Sequence, residues 1–500
     1  MKSGKSLFVG RLFCGGACDA ASSGARRRDD RMVLVVGVAS AILMMLTSLF
    51  LSGCASKSAK PAAPAAVLTA DEVRRNVESF DIVWETIRDK HFDAKLNGAD
   101  WDGARAELRP KVEAATTMDE ARAAISELIG RLKQSHFGII PRESYAQMSA
   151  PLADDGESGA EEAKKSGSSG RLGLMIRAVP TEKDGVKHYS ALVVRVEEGS
   201  AAAAAGVKAG STIERVGKVA LSDRLGVVAA GMEGKVDQLA HVSMVASSLN
   251  SGTPGKSIDL TLREPTGKQR KVKVAYAVDD TPKATFGNLP STPIETESKT
   301  LESGIGYARL SIWLDPPRVS KWFDAFMKDH ADAKGVIIDL RGNPGGLGAM
   351  AMGMGGHFTM PKNTELGTQI TRTSTLRFVM NPRPRAFGGK LAILTDELSM
   401  STSEIFAGGM KDIGRARVFG TATPGAALPS AIERLPNGDG FQYAFANYIS
   451  AGGKALEGLG VQPDEVVGYD AAELRAGRDP VVEAAVKWIL SEGQVTVGGR

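Results

Sequence analysis

The stretch Gly335-Val336-Ile337-Ile338-Asp339-Leu340-Arg341-Gly342-Asn343-Pro344-Gly345-Gly346 decides the fold. A wholly apolar run ends in an acid, a leucine and an arginine, then breaks into a glycine-rich turn. Such a run reads as a strand. Upstream lie GIGYARLSIW, a second strand pattern, and VSKWFDAFMKDHA, a helical one. Downstream, KLAILT (390–395) precedes a helical pattern over 401–412. Strands alternating with helices predict an α/β core with a substantial sheet. The glycines permit positive φ and close approach of backbone N–H groups to a ligand. The turn reads as an oxyanion or phosphate cradle, or as a plain tight turn. No Walker lysine follows it.

Three further motifs carry chemistry. Leu398-Ser399-Met400-Ser401-Thr402-Ser403-Glu404 sets three serines where a strand gives way to a helix. Serines there are common helix caps. They also lie beside the free N–H groups of the helix start, which suit a developing oxyanion. Gln134-Ser135-His136-Phe137-Gly138 holds one of six histidines; the other five stand in no distinctive context. Ala455-Leu456-Glu457-Gly458-Leu459-Gly460 places a carboxylate in a glycine-rich turn, either functional or simply solvated.

The rest of the chain divides by composition. Five hundred residues exceed what one core of about 250–300 residues accommodates, so several domains are expected. Residues 1–53 carry seven Lys and Arg against three acids, which accounts for the whole net charge of +4 and leaves the remainder balanced. No basic footprint for nucleic acid remains. The charged patch Arg26–Arg31 followed by the uncharged run 32–53 has the form of an export signal. Leu51-Ser52-Gly53-Cys54 resembles a lipobox, with Cys54 as the lipidated residue; an uncleaved transmembrane anchor is the alternative. Translation from Met1 or from Met32 fits equally. Cys14 and Cys18 fall in the leader, and no cysteine follows Cys54, so the body has neither disulfide nor thiolate metal site. Residues 55–67 read as a Pro- and Ala-rich tether. Helices are expected from a cap at Thr69 or Asp71 with a stripe of Val73, Val77, Ile82 and Ile87, near 100–114, and from a cap at Thr117 or Asp119 with a face of Ala124, Leu128, Ile129 and Leu132. Residues 151–169 are polar and of low complexity, a linker.

Taken together, the motifs resemble the C-terminal-processing (tail-specific) serine peptidases, in the family's order and over roughly 68–490. The resemblance implies a multidomain α+β protein: a 1–54 leader, a helical N-terminal domain over 68–150, a PDZ-like β domain over 170–280 and an α/β, crotonase-like catalytic core over 281–490. It implies Ser401 as nucleophile, with oxyanion donors at Thr402 and at Gly346 or Gly345. Leu172, Gly173 and Leu174, in GRLGL, match the PDZ loop that holds a peptide's terminal carboxylate. One position departs from the family. Where members with a Ser–Lys dyad carry lysine, this chain reads Thr423-Pro424-Gly425-Ala426-Ala427, with Ala426 at the lysine's place. The chain is similar instead to the tricorn branch, whose base is a histidine following a serine. That implies His136 as base, oriented by Ser135 and Glu457, with Lys454 as the rival base. Asp339 and Arg341 are expected to pair and shape the glycine turn. The implied protein is a serine endopeptidase of the cell envelope acting on peptides or protein C-terminal regions, without metal or organic cofactor. The membrane is a partner through the lipid anchor and nucleic acid is not one. An inactive peptide-binding scaffold and an apolar-ligand binder are the alternatives.

Overall fold

The computed structural model describes residues 67–142, 169–183, 186–233, 237–285 and 291–491. The leader, Cys54, the tether and nearly all of the 151–169 linker lie outside them.

Helix Ala70–Lys90 starts at a capping box in which Thr69 and Glu72 satisfy one another's backbone N–H groups. Thr117 and Glu120 do the same for helix Met118–Gly130, whose Ala124, Leu128 and Ile129 are buried together with Leu132 beyond its end, as expected. The first helix corrects the predicted stripe. Its buried face is Asn76, Ser79, Phe80, Val83, Trp84 and Ile87, while Val73, Val77 and Ile82 are only partly covered. The polar half of that face serves a distant loop: Asn437 donates its side-chain N–H to Asn76 Oδ1 (3.0 Å) and its backbone N–H to Ser79 Oγ (3.1 Å). Helix Trp101–Glu113 completes the group, with Trp84 and Trp101 each donating the indole N–H to the other's carbonyl.

These helices do not enclose a core of their own. Their apolar cluster continues into Leu435, Phe441 and Tyr443 of the far C-terminal half. Strand Gly138–Ile140 pairs antiparallel with Gly440–Ala444, setting Ile139 opposite Phe441. Large apolar side chains buried this way contribute about 1.5–3 kcal/mol each. The union brings residues 135–136 to the opposite end of the chain.

Residues 170–278 hold a six-stranded antiparallel sheet ordered Leu174–Lys183, Val186–Val196, Thr212–Val216, Ser257–Arg263, Gln269–Ala275, with the short Val219–Ala220 paired off this path to Thr212–Val216, and with a cluster of its own. Helix Gln238–Ser247 lies along the edge strand Leu174–Lys183.

The third region is built on a six-stranded sheet in the order Thr296–Thr300, Gly306–Leu310, Gly335–Asp339, Lys390–Thr395, Arg417–Gly420, Glu465–Val466. All neighbours are parallel except the first pair. Asp339 pairs with Leu394, so two adjacent parallel strands end side by side. The glycine turn and the serine turn therefore leave the sheet together, at the carboxyl edge where α/β sheets hold their ligands.

Candidate active site

The serine turn is braced at both ends. Ser399 Oγ donates to Leu340 O (2.8 Å) and accepts from Asp396 N–H (3.0 Å). Ser403 Oγ donates to Asn343 O and accepts from the Trp313 indole, both at 2.9 Å. The outer serines are thus structural, as expected of turn and cap positions. Ser401, between them, sits at φ +54°, ψ −116°, a backbone conformation that L-residues avoid and that marks functional turns. Helix Thr402–Asp412 begins at the next residue.

Glu404, which the sequence reading did not single out, holds this conformation. It is fully buried and accepts from Ser401 N–H (3.0 Å), Ala426 N–H (3.0 Å), Gly425 N–H (2.8 Å) and Thr423 Oγ (2.6 Å). Burial pushes its carboxyl up to about 7 against those donors, which favour the charged form. The serine turn is thereby stitched to the segment Thr423–Ala427, and Ser401 N–H also donates to Ala426 O (2.9 Å).

The glycine turn lies against Ser401. A Cβ on Gly345 would come within 2.6 Å of Ser401 Cβ, and one on Gly346 within 2.2 Å of Trp313 O. Both hold positive φ, +101° and +142°. Of the expected oxyanion donors, Gly345 is corrected: its N–H donates to Asn343 Oδ1 (2.9 Å), so it supplies clearance and not an amide. The Gly346 and Thr402 N–H groups donate to no other group among the described residues. Asp339 and Arg341 pair as expected, at 2.7 and 3.0 Å, and Arg341 extends to Asp479. Burial would raise Asp339, but the Arg341 guanidinium holds its carboxyl at about 2.

The second half of the site comes from the other end of the chain. Ser135 donates its backbone N–H to Glu457 Oε1 and its hydroxyl to Glu457 Oε2, both at 2.8 Å. Ser135 Oγ lies 2.5 Å from His136 Nδ1. The single hydroxyl proton goes to the carboxylate, so Ser135 Oγ accepts from Nδ1–H, and the imidazole's Nε2 is left with its lone pair. His136 Nε2 is buried and has no hydrogen-bond partner among the described residues. Burial drives the His136 pKa down, to about 3, and raises that of Glu457. No hydrogen bond joins His136 to Ser401 here. The two are linked through one extended segment: Ser401 N–H meets Ala426 O, and the next residue, Ala427, donates to Glu457 Oε2 (3.1 Å).

Ala426 itself is sealed in an apolar cluster with Leu398, Met400, Ala240 and Met244. Two of these come from helix Gln238–Ser247, whose Ser243 also donates to Glu397 (2.5 Å). Burial, then the neighbouring Asp396 charge, raises Glu397 to about 7. Arg177, buried on the edge strand Leu174–Lys183, donates to Asp396 Oδ2 (2.7 Å), while Asp396 Oδ1 accepts from Gly342 N–H (2.8 Å). Both turns of the site are thus clamped by residues of the 170–278 region, which the sequence reading also missed. Of the residues in GRLGL, Leu172 donates its N–H to Asn250 O (2.9 Å) and Leu174 to Asn250 Oδ1 (2.8 Å). Gly173 has φ +80° and accepts from Glu197 N–H. Lys454 is exposed, and Lys411 is held by Gln462 O and Asp464. The described residues contain no cluster able to hold a metal ion.

Comparison with known proteins supports a serine-type peptidase. Residues 304–467 match the model of peptidase family S41, and residues 75–130 match the tricorn protease C1 domain. The carboxyl-terminal-processing protease of Picosynechococcus is 25% identical over 389 residues, 77% of this chain and 81% of that protein. The fold is shared with the photosystem II D1 C-terminal processing protease (TM-score 0.50, 18% identity, 85% of this chain and 98% of that one). It is shared also with mature CPAF complexed with lactacystin (TM-score 0.53, 14% identity, 84% and 98%). The chain is a serine peptidase, similar over residues 304–467 to peptidase family S41.

Proposed function

We propose that this chain is an envelope endopeptidase using Ser401 and His136, and that it cleaves peptides or protein C-terminal regions through an acyl-enzyme. The observation that carries the reading is the Glu457–Ser135–His136 relay, which fixes the proton on Nδ1 and leaves Nε2 buried with its lone pair unengaged among the described residues. A serine hydroxyl needs a base to take its proton. His136 Nε2 takes it as Ser401 Oγ adds to the scissile carbonyl, and Ser135 and Glu457 stabilise the imidazolium that forms. The Gly346 and Thr402 amides receive the oxyanion, worth roughly 3–4 kcal/mol per donor. The proton then passes to the leaving amine, and water repeats the sequence to release the acyl group. A lysine at position 426 would enter a dry apolar cluster, which supports the histidine assignment.

The sheet order of residues 170–278, with a helix along its edge strand, supports the PDZ-like reading, and the parallel sheet with its glycine turn supports the crotonase-like one. A substrate tail added at the edge strand would displace Asn250, Ser243 and Ser247, which now satisfy Leu172, Leu174, Ala178 and Ile176. Cys54 would anchor the body outside the cytoplasm through lipid. Fluorophosphonate labelling of wild type beside Ser401→Ala tests the enzymatic reading. Labelling lost only in the variant supports it; an unlabelled wild type points to the scaffold or apolar-ligand binder. Release of Cys54→Ser from membranes tests the anchor, and persistent association would indicate a transmembrane segment.

A further inference from the structure

We infer that His91 is a positioning residue for the catalytic base, acting through Gln134 and Phe137; this rests on His136 being that base. His91 is fully buried at the C-terminal cap of helix Ala70–Lys90. Its Nε2 lies 2.7 Å from Gln134 Oε1, and its Nδ1 lies 2.9 Å from Asp93 O and 3.0 Å from Asp93 N. Gln134 Oε1 can only accept, so Nε2 donates to it, and a neutral ring then takes the Asp93 N–H at Nδ1. The ring also stacks on Phe137, centroids 5.5 Å apart and planes inclined by 17°. Gln134 immediately precedes Ser135, and Phe137 immediately follows His136. One side chain therefore grips the base segment from both sides.

The segment needs such a grip. Lys133 and His136 hold φ at +52° and +63°, which side-chain-bearing residues resist. Left to itself the turn would relax and swing Nε2. His91 is fixed in turn from a third direction. Arg372, in the turn between strands Thr364–Ile370 and Thr375–Met380, donates Nε to His91 O (2.5 Å) and Nη2 to Arg88 O (2.6 Å). These carbonyls belong to the last turn and cap of the helix, where a cation is favoured. A hairpin of the catalytic region, a helix end and the base segment thus meet at His91. A displacement of about 1 Å at a base costs on the order of 10²-fold in rate.

The test is single-turnover phosphonylation by a fluorophosphonate, in which the serine oxygen bonds to phosphorus and fluoride leaves, with kcat and KM on a model peptide, for His91→Phe, His91→Gln, Gln134→Ala and the double variant His91→Phe/Gln134→Ala. His91→Phe keeps the stack and loses the donor. Its phosphonylation should fall roughly 10–100-fold with KM within about twofold. His91→Gln, whose amide can stand where Nε2–H stood, should recover part of the loss. The double variant should be no slower than the slower single one. Phosphonylation of His91→Phe within twofold of wild type, or losses that add in the double variant, would overturn the inference. His136→Ala is measured alongside. If it stays active, the base assignment itself fails; if it is dead while His91→Phe is intact, only the positioning role fails.

Discussion

The serine turn and the histidine segment solve the same problem in opposite ways. Ser401 is held by its own neighbourhood: two adjacent parallel strands end together, and Ser399, Ser403 and Glu404 spend their polar groups on backbone within that region. His136 is held from afar. Its relay runs to Glu457, 322 residues on from Ser135, and its strand Gly138–Ile140 is completed by Gly440–Ala444. The proposed nucleophile is preorganised by local geometry, the proposed base by assembly of the chain's two ends. Damage to the first should be all-or-none at one residue and mainly a matter of stability around it. Damage to the second should be graded.

The largest effect is expected at Ser401. Ser401→Ala should abolish hydrolysis and labelling with the melting temperature nearly unchanged. Ser399→Ala and Ser403→Ala should keep labelling yet lose about 1–3 kcal/mol each in denaturant unfolding, since each leaves a buried partner unsatisfied. If Ser403→Ala abolishes labelling while Ser401→Ala does not, the turn has been read two residues out.

Smaller, graded losses should follow along the relay. Glu457→Gln and Ser135→Ala should each lower kcat on the order of 10²-fold and, combined, lose much less than the product. Fully multiplicative losses in steady-state kinetics would mean that they do not act as one chain.

A different kind of effect concerns stability and pH rather than rate. Burial raises the Glu404 carboxyl from 4.5 to about 7 in the folded state. Its favourable contribution is present below the unfolded pKa and disappears as pH rises through the folded one, amounting to about 3 kcal/mol. Unfolding free energy should therefore fall between pH 4.5 and 7, and Glu404→Gln should flatten that slope. An unchanged slope in the variant would assign it to other groups, Glu397 among them.

The same contrast explains what the sequence made legible. The glycine turn, the serine turn and the Asp339–Arg341 pair are local, so residue type and spacing disclose them. The segments holding Ser135, His136 and Glu457 stand out as motifs, but only a family resemblance joins them, because nothing in their local patterns links sites so far apart. Glu404, Arg177, Ser243 and His91 stayed hidden. Each is an ordinary helix, strand or cap residue until the tertiary structure puts donors or carboxylates around it. The first helix was drawn with the wrong stripe for a related reason: apolar periodicity does not register that Asn76 and Ser79 are buried to meet Asn437.

The central claim, that a histidine and not a lysine activates Ser401, is met most directly by the pH dependence of phosphonylation by a fluorophosphonate in wild type, His136→Ala and Lys454→Ala. Burial holds His136 neutral down to about pH 3, so its acid limb in wild type should lie below that of an ordinary imidazole at about 6.5. His136→Ala should lose on the order of 10³-fold or more at every pH, and Lys454→Ala less than about twofold. An active His136→Ala beside an inactive Lys454→Ala, with phosphonylation rising only at alkaline pH, would contradict the account and leave a relocated Ser–Lys dyad in its place.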